Sequence, residues 1–206
     1  MVESAQARAD RDPRAESPEA PLVLASASPR RRELLSILTD NFSVSPANLD
    51  ESVLSGESPG CYVERIACAK AETIAARRAA GFVLGSDTSV VLDGSCLGKP
   101  ADADDARRML SALSGRRHHV YSAVALIGLR SGPRTLLSVT EVTFDRLPAG
   151  WVGRYVESGE PMDKAGAYAI QGQAAAWVLE LRGSYSGVVG LPLYETGTLL
   201  REAQLI

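Results

Sequence analysis

Asp87 stands inside Phe82-Val83-Leu84-Gly85-Ser86-Asp87-Thr88-Ser89-Val90-Val91-Leu92, a run that otherwise reads as a buried strand. Strands disfavour aspartate, and a buried carboxylate without a partner is costly or takes up a proton. Two readings follow. In one, Gly85-Ser86-Asp87 is a bulge or strand end and the carboxylate bonds to nearby backbone. In the other, a rigid strand holds Asp87 beside a metal ion or an attacking water, the work of a general base.

Cations that could serve such a carboxylate occur in three places. Arg30, Arg31 and Arg32 follow Ser28-Pro29, the N-cap and first-position proline of a helix expected through about Leu38. Cations at that end oppose the helix dipole by on the order of 0.3 to 1 kcal/mol each, and a bound anion reverses the sign. The hydroxyls of Ser26 and Ser28 beside free helix N-H groups make the turn a ready phosphate site, with a solvated basic turn as the alternative. Lys70, among the small residues of a second helix, is either a snorkelling surface lysine or a charge directed into a pocket. Lys99 stands in Gly94-Ser95-Cys96-Leu97-Gly98-Lys99-Pro100, which imitates a P-loop but is one residue short, with Pro100 where the magnesium-binding Ser or Thr belongs. Lys99 can still meet a phosphate as a point charge. The adjacent acids Asp50 and Glu51 lie in a polar loop, where solvation is the ordinary reading and magnesium ligation with substrate phosphates the functional one.

The elements that position these residues alternate in type. Strands are expected at Pro21 to Ser26, Phe42 to Val44 and the Asp87 stretch, with a helix from about Pro59 to Ala80 carrying Tyr62, Ile66, Ala69 and Thr73 on one stripe and stopped by Gly81. Asp93-Gly94 predicts a hairpin turn, and a helix runs from about Asp102 to Leu113. His118 to Leu129 and Thr135 to Phe144, joined by Ser131-Gly132-Pro133, predict an antiparallel hairpin, so the sheet is mixed. Adjacent His118 and His119 point to opposite faces and cannot both ligate one metal in the usual way. A helix over 148–158, an ordered polar loop from Ser158 to Tyr168, a strand from Trp177 to Leu181 and a helix from Leu191 to Ala203 complete the chain.

With 206 residues, 45% hydrophobic, and a net charge of -3, the chain suits one or at most two compact domains. Residues 1–20, with five acidic side chains against three arginines, read as a disordered tail before a domain over 21–206. No signal peptide or membrane span is legible, which predicts a cytoplasmic protein. Three cysteines without C-x-x-C spacing indicate neither a disulfide framework nor a zinc knuckle. The charge balance leaves no footprint for duplex DNA or RNA.

The ordered set Ser26-Ala27-Ser28-Pro29-Arg30-Arg31, Asp50-Glu51, Ala69-Lys70-Ala71, Gly85-Ser86-Asp87-Thr88, Lys99-Pro100, Leu113-Ser114-Gly115, Asp163-Lys164-Ala165-Gly166-Ala167-Tyr168, Ile170-Gln171-Gly172 and Val189-Gly190-Leu191-Pro192-Leu193 resembles the Maf family of nucleoside triphosphate pyrophosphatases, once named for septum-formation inhibition. Ser86 replaces a usual Ala and Ser122 a usual Thr, and the acidic tail is extra. The resemblance implies an α/β fold like that of the inosine triphosphate pyrophosphatases, with a mixed elongated sheet, flanking helices and a nucleotide cleft between two lobes. It implies cleavage between the α and β phosphates, with Asp87 as proton acceptor. Asp50, Glu51 and Asp87 would supply oxygen ligands to Mg2+ or Mn2+. Ser26, Ser28, Arg30, Arg31, Lys70 and Lys99 would hold the triphosphate, and the family commonly forms homodimers.

The resemblance also marks Arg30, Thr88 and Gln171 as specificity positions, and all three match the dTTP/UTP-preferring branch. The amide of Gln171 can accept from N3-H and donate to O4 of uracil or thymine, although a flipped amide satisfies cytosine equally. The branch acting on 7-methyl-GTP carries acids at the positions of Thr88 and Gln171, which suit a cationic base. A non-enzymatic regulator of division or a nucleic-acid-binding module is the contrasting class. Against it stand the net charge and the lack of a stacking platform, with only three Phe and two Trp in the chain.

Overall fold

In the computed structural model, which describes residues 22–128 and 132–206, the Asp87 stretch is one continuous strand, β3 (Phe82–Leu92). It pairs antiparallel with β5 (Arg117–Gly128) from Phe82↔Gly128 to Val91↔His119 without a register shift, so the bulge reading gives way to a regular strand. The other edge of β3 is covered only at its ends. There β1 (Leu22–Leu24) pairs in parallel with Phe82 to Leu84, and β4 (Ser95–Leu97) pairs antiparallel with Val90 to Leu92. Gly85 to Ser89 therefore face a gap between β1 and β4, and a gap in a sheet edge exposes backbone and alternate side chains to whatever lies beside it. Asp93 (φ 50°) and Gly94 (φ 78°) make the predicted two-residue turn into β4, both residues left-handed as a type I′ turn requires.

With β2 (Phe42–Val44), β6 (Arg134–Phe144) and β7 (Val178–Arg182), the sheet has seven strands in the order β2-β1-β3-β5-β6-β7, β4 standing off β3. The contacts of β1 are parallel and the others antiparallel, which makes the expected mixed sheet. The helices are α1 (Pro29–Ser36), α2 (Pro59–Ala75), α3 (Ala103–Leu113), α4 (Ala149–Glu157), α5 (Tyr185–Val189) and α6 (Leu193–Glu202). Ser28, Ser58 and Asp102 cap α1, α2 and α3 by accepting from the backbone N-H three residues on. One face of the sheet, including Leu84, Val90 and Phe144, packs on Leu110 of α3 and Leu199 of α6, and the other packs on α2 through Val83, Ala123 and Ala125.

Helix α2 departs from expectation twice. It ends at Ala75 rather than Ala80, closing with Arg77 and Arg78 N-H bonds to carbonyls three residues back, while Gly81 (φ 104°) only turns the chain into β3. Its buried stripe is Val63, Ile66, Ala67, Lys70, Ala71, Ile74 and Ala75, so of the predicted stripe only Ile66 is fully covered. Close approach to Gly85 selects that face: a Cβ there would lie 2.1 Å from the Ala67 carbonyl oxygen. Residue size does not separate the two stripes; the close passage of β3 against Ala67 and Ala71 does, a contact that periodicity along the helix does not show.

His118 is buried, its Nε2 2.8 Å from the Tyr168 hydroxyl, and His119 is exposed on the opposite face. Burial pulls the His118 pKa down to about 4, so it is neutral at physiological pH. The polar loop after α4 is ordered as tight 3-10 turns at Glu160–Asp163 and Ala165–Ala167, and another, at Gln173–Trp177, precedes β7. The short α5 was not anticipated, because Tyr185-Ser186-Gly187-Val188-Val189 is too short to show a helical period. The cysteines are free, Cys61 exposed and Cys68 and Cys96 half-buried. No helix of the described residues is long and apolar enough to cross a membrane. The tail at 1–20, the strand start at Pro21 and the expected features at Leu129 and Ser131 lie outside the described residues.

Candidate active site

A cavity of about 410 Å³ opens beside the uncovered stretch of β3. The turn from β1 into α1 forms one wall, and the segments 163–171 and 188–190 form others. Period-two alternation along β3 divides the labour. Asp87 shares the face of Gly85 and looks toward α2, whereas Ser86 and Thr88 look the other way, toward the 187–190 segment.

Asp87 is only 4% exposed, and its Oδ1 accepts from Lys70 Nζ at 2.8 Å. The same ammonium lies 2.9 Å from Glu51 Oε1, so one buried lysine joins both acids. This decides the Lys70 question for the pocket. Burial pushes the Asp87 carboxyl above its ordinary value, with Lys70 and Arg31 pulling it down and Glu51 adding a smaller push. Glu51 sits in an exposed loop that α2 ties down. Tyr62 donates its hydroxyl to the Glu51 carbonyl (3.0 Å), and Arg65 donates to the Ser52 carbonyl while forking onto Glu57.

Arg31 is fixed from three sides. Its Nη1 donates to the Ser86 carbonyl (2.8 Å) in the uncovered stretch of β3, and its Nε donates to the Gly190 carbonyl (2.8 Å). Its backbone N-H bonds to Ser28 Oγ (3.4 Å), while Ser26 Oγ accepts from the Ser28 N-H (3.2 Å). Arg30 reaches Asp163 Oδ2 at 3.7 Å. Lys99 is exposed beside the cavity with no ion pair to any described residue, and Gly98 is anchored by its carbonyl to the Gly166 N-H (3.0 Å).

Ser26, Ser28, Arg30, Arg31, Glu51, Lys70, Asp87, Thr88, Lys99 and Gln171 all line this one cavity. Asp50 does not. It points to solvent and accepts from the Ser52 N-H and hydroxyl at 2.9 and 2.6 Å, bonds that hold its carboxyl below the usual range. Adjacent residues in an extended loop point apart, so the expected trio of acids is instead a pair, Glu51 and Asp87. Among the described residues no three His, Cys, Asp or Glu side chains gather as a metal group. Sequence reasoning gave no role to Tyr62, Arg65, Asp163 or the Gly190 carbonyl. Asp163 and Gly190 stand in the stretches that resemble the family, and the φ of Gly190 is 139°.

A family model described as Maf-like protein matches residues 21–203. The chain belongs to the Maf-like family. Its relatives include the dTTP/UTP pyrophosphatases of Myxococcus xanthus, 52% identical over 89% of this chain and 93% of that protein, and of Anaeromyxobacter dehalogenans strain 2CP-1, 55% identical over 88% and 93%. The fold of this Maf-like chain is shared with a HAM1 protein from Coxiella burnetii, with a TM-score of 0.54 at 20% identity over 89% of this chain and 99% of that one.

Proposed function

We propose that this chain hydrolyses dTTP and UTP to the nucleoside monophosphate and pyrophosphate. The observation that carries the reading is the juxtaposition of buried Asp87, bridged to Glu51 by Lys70, with Arg30, Arg31 and Lys99 around one cleft. The relatives named for this activity match nearly the whole chain, which supports carrying it over. Asp87 takes the proton of a water whose oxygen attacks phosphorus in the α-β anhydride. A carboxylate is a weak base, so the lift that burial gives it favours the role. Lys70 holds that carboxylate in one rotamer and keeps Glu51 beside it. The N-terminus of α1, with the Ser26 and Ser28 hydroxyls and the two arginines, receives phosphate oxygens, and Lys99 meets charge that grows on the leaving pyrophosphate.

Glu51 and Asp87 each turn one carboxylate oxygen to the Lys70 ammonium, and the second oxygen of each is a donor that suits a hard divalent ion completed by substrate phosphates and water. They are the residues that would hold Mg2+ or Mn2+, which when bound acidifies the attacking water and neutralises phosphate charge. Base choice falls to Arg30, Thr88 and Gln171 on the cavity wall. A panel of dTTP, UTP, dCTP, ATP, GTP and 7-methyl-GTP, with product analysis, tests the reading. Pyrophosphate release with highest kcat/KM for dTTP and UTP is expected, and diphosphate plus phosphate as first products would sink it. If 7-methyl-GTP leads the panel, the reaction class stands but the pyrimidine assignment is wrong.

The same reading takes the protein as a cytoplasmic homodimer without a stable nucleic-acid partner. Light scattering is expected to give twice the chain mass, and a concentration-independent monomer mass removes the dimer.

A further inference from the structure

We infer that Ser122, buried behind the cleft wall, fixes Thr88 as a hydrogen-bond acceptor and thereby makes it select bases that carry N3-H, uracil and thymine over cytosine. The inference rests on the pyrimidine reading above and supplies what the flippable amide of Gln171 cannot.

Thr88 and Ser122 are directly opposed in the β3–β5 register, and their hydroxyl oxygens lie 3.0 Å apart. Distance alone leaves the donor undecided. Ser122 is 1% exposed, and its Oγ donates to the Gly187 carbonyl at 2.6 Å, which uses its single proton. Ser122 can therefore only accept from Thr88. The other polar neighbour of Thr88 is the Gly190 carbonyl at 3.4 Å, which also only accepts and already receives Arg31 Nε and Ser86 Oγ. Every partner behind Thr88 takes a proton and none offers one.

With its one proton directed inward, Thr88 has only lone pairs left for the cavity it lines. The N3-H of uracil or thymine meets an acceptor there. Cytosine brings its own N3 lone pair and is repelled. Unlike an amide, this arrangement cannot invert, because turning the Thr88 proton outward would leave Ser122 Oγ facing it without a donor. Losing one such neutral bond corresponds to roughly a tenfold change in relative kcat/KM.

The experiment is the ratio of kcat/KM for dTTP to that for dCTP in the full-length enzyme and three variants. Ser122→Ala is expected to lower the ratio about tenfold, because the Thr88 proton then has behind it only the Gly190 carbonyl, long at 3.4 Å and already taken by Arg31 and Ser86, and is free to turn outward. Ser122→Thr, which keeps the hydroxyl and restores the usual family residue, is expected to hold the ratio, and Thr88→Val to lower it. A Ser122→Ala enzyme in which both substrates decline together, or a Thr88→Val enzyme with the parent ratio, overturns the inference. If Ser122→Ala does not melt cooperatively, Ser122→Cys takes its place, its thiol being a similar-sized but weak acceptor. Parent enzyme inactive on dTTP and UTP overturns the pyrimidine reading itself, whereas an unmoved ratio in an active enzyme overturns only the polarity of Thr88.

Discussion

Asp87→Asn is expected to fold normally and to lose at least ~100-fold in turnover of dTTP, the lower range for removal of a general base. The substitution keeps the shape of the side chain and an oxygen that can still accept from Lys70 Nζ, now 2.8 Å away. Lys70 is not orphaned either, because Glu51 stays within 2.9 Å of it. The sign of the pH linkage points the same way. A carboxyl whose pKa rises on folding binds its proton more tightly in the folded state, so its ionisation costs stability as pH climbs from the ordinary Asp value through the folded one. Above that window Asp87 opposes folding, and an amide removes the cost. A melting temperature at or above that of the parent, together with lost turnover, is the combined expectation. Near-parental turnover would return Asp87 to a purely structural role.

Most of the sheet was legible because its strands carry their own punctuation: Asp93-Gly94 can only turn tightly, and Ser28-Pro29 can hardly avoid starting a helix. The site was legible for a different reason, namely that charges stood where local preference disfavours them. Asp87 in a strand, three arginines at a helix N-terminus and Lys70 among alanines were each unfavourable alone, and Asp87, Lys70 and two of the arginines, Arg30 and Arg31, line the same cavity. Asp50 was the exception, since a solvated loop acid violates no local rule and its Oδ1 is taken by the N-H and hydroxyl of the nearby Ser52. What sequence could not supply was anything set by contact across the fold. The Tyr62 and Arg65 ties on the Glu51 loop reach back over the loop that precedes α2, and the convergence of Arg31, Ser86 and Thr88 on the Gly190 carbonyl joins residues far apart in the chain, as does the contact that selects the buried face of α2.

Gly85→Ala is expected to cost about 3 kcal/mol or more of stability, at or beyond the usual upper range for overpacking, and to depress turnover in whatever folds. The added Cβ would lie 2.1 Å from the Ala67 carbonyl oxygen and 3.0 Å from the Ala71 backbone nitrogen. Both are helix backbone, which cannot rotate aside as a side chain would, so α2 must lift from β3 as a body. Lys70 lies between those two residues in sequence and rides on the same turn of α2, while Asp87 stays on β3 two residues from Gly85. Lifting the helix therefore lengthens the 2.8 Å contact from Lys70 to Asp87, and misplacing a positioning group by about 1 Å can cost ~100-fold in rate. Gly153 in α4 provides the contrast, since a Cβ there meets nothing within 4 Å and its φ is not positive. Gly153→Ala should be neutral or stabilise by roughly 0.4 to 1 kcal/mol through the unfolded chain. Urea unfolding of the two variants beside their turnover separates the cases. If Gly85→Ala unfolds at the parental urea concentration, α2 can slide on the sheet, and the spacing of Lys70 to Asp87 is not set by this glycine.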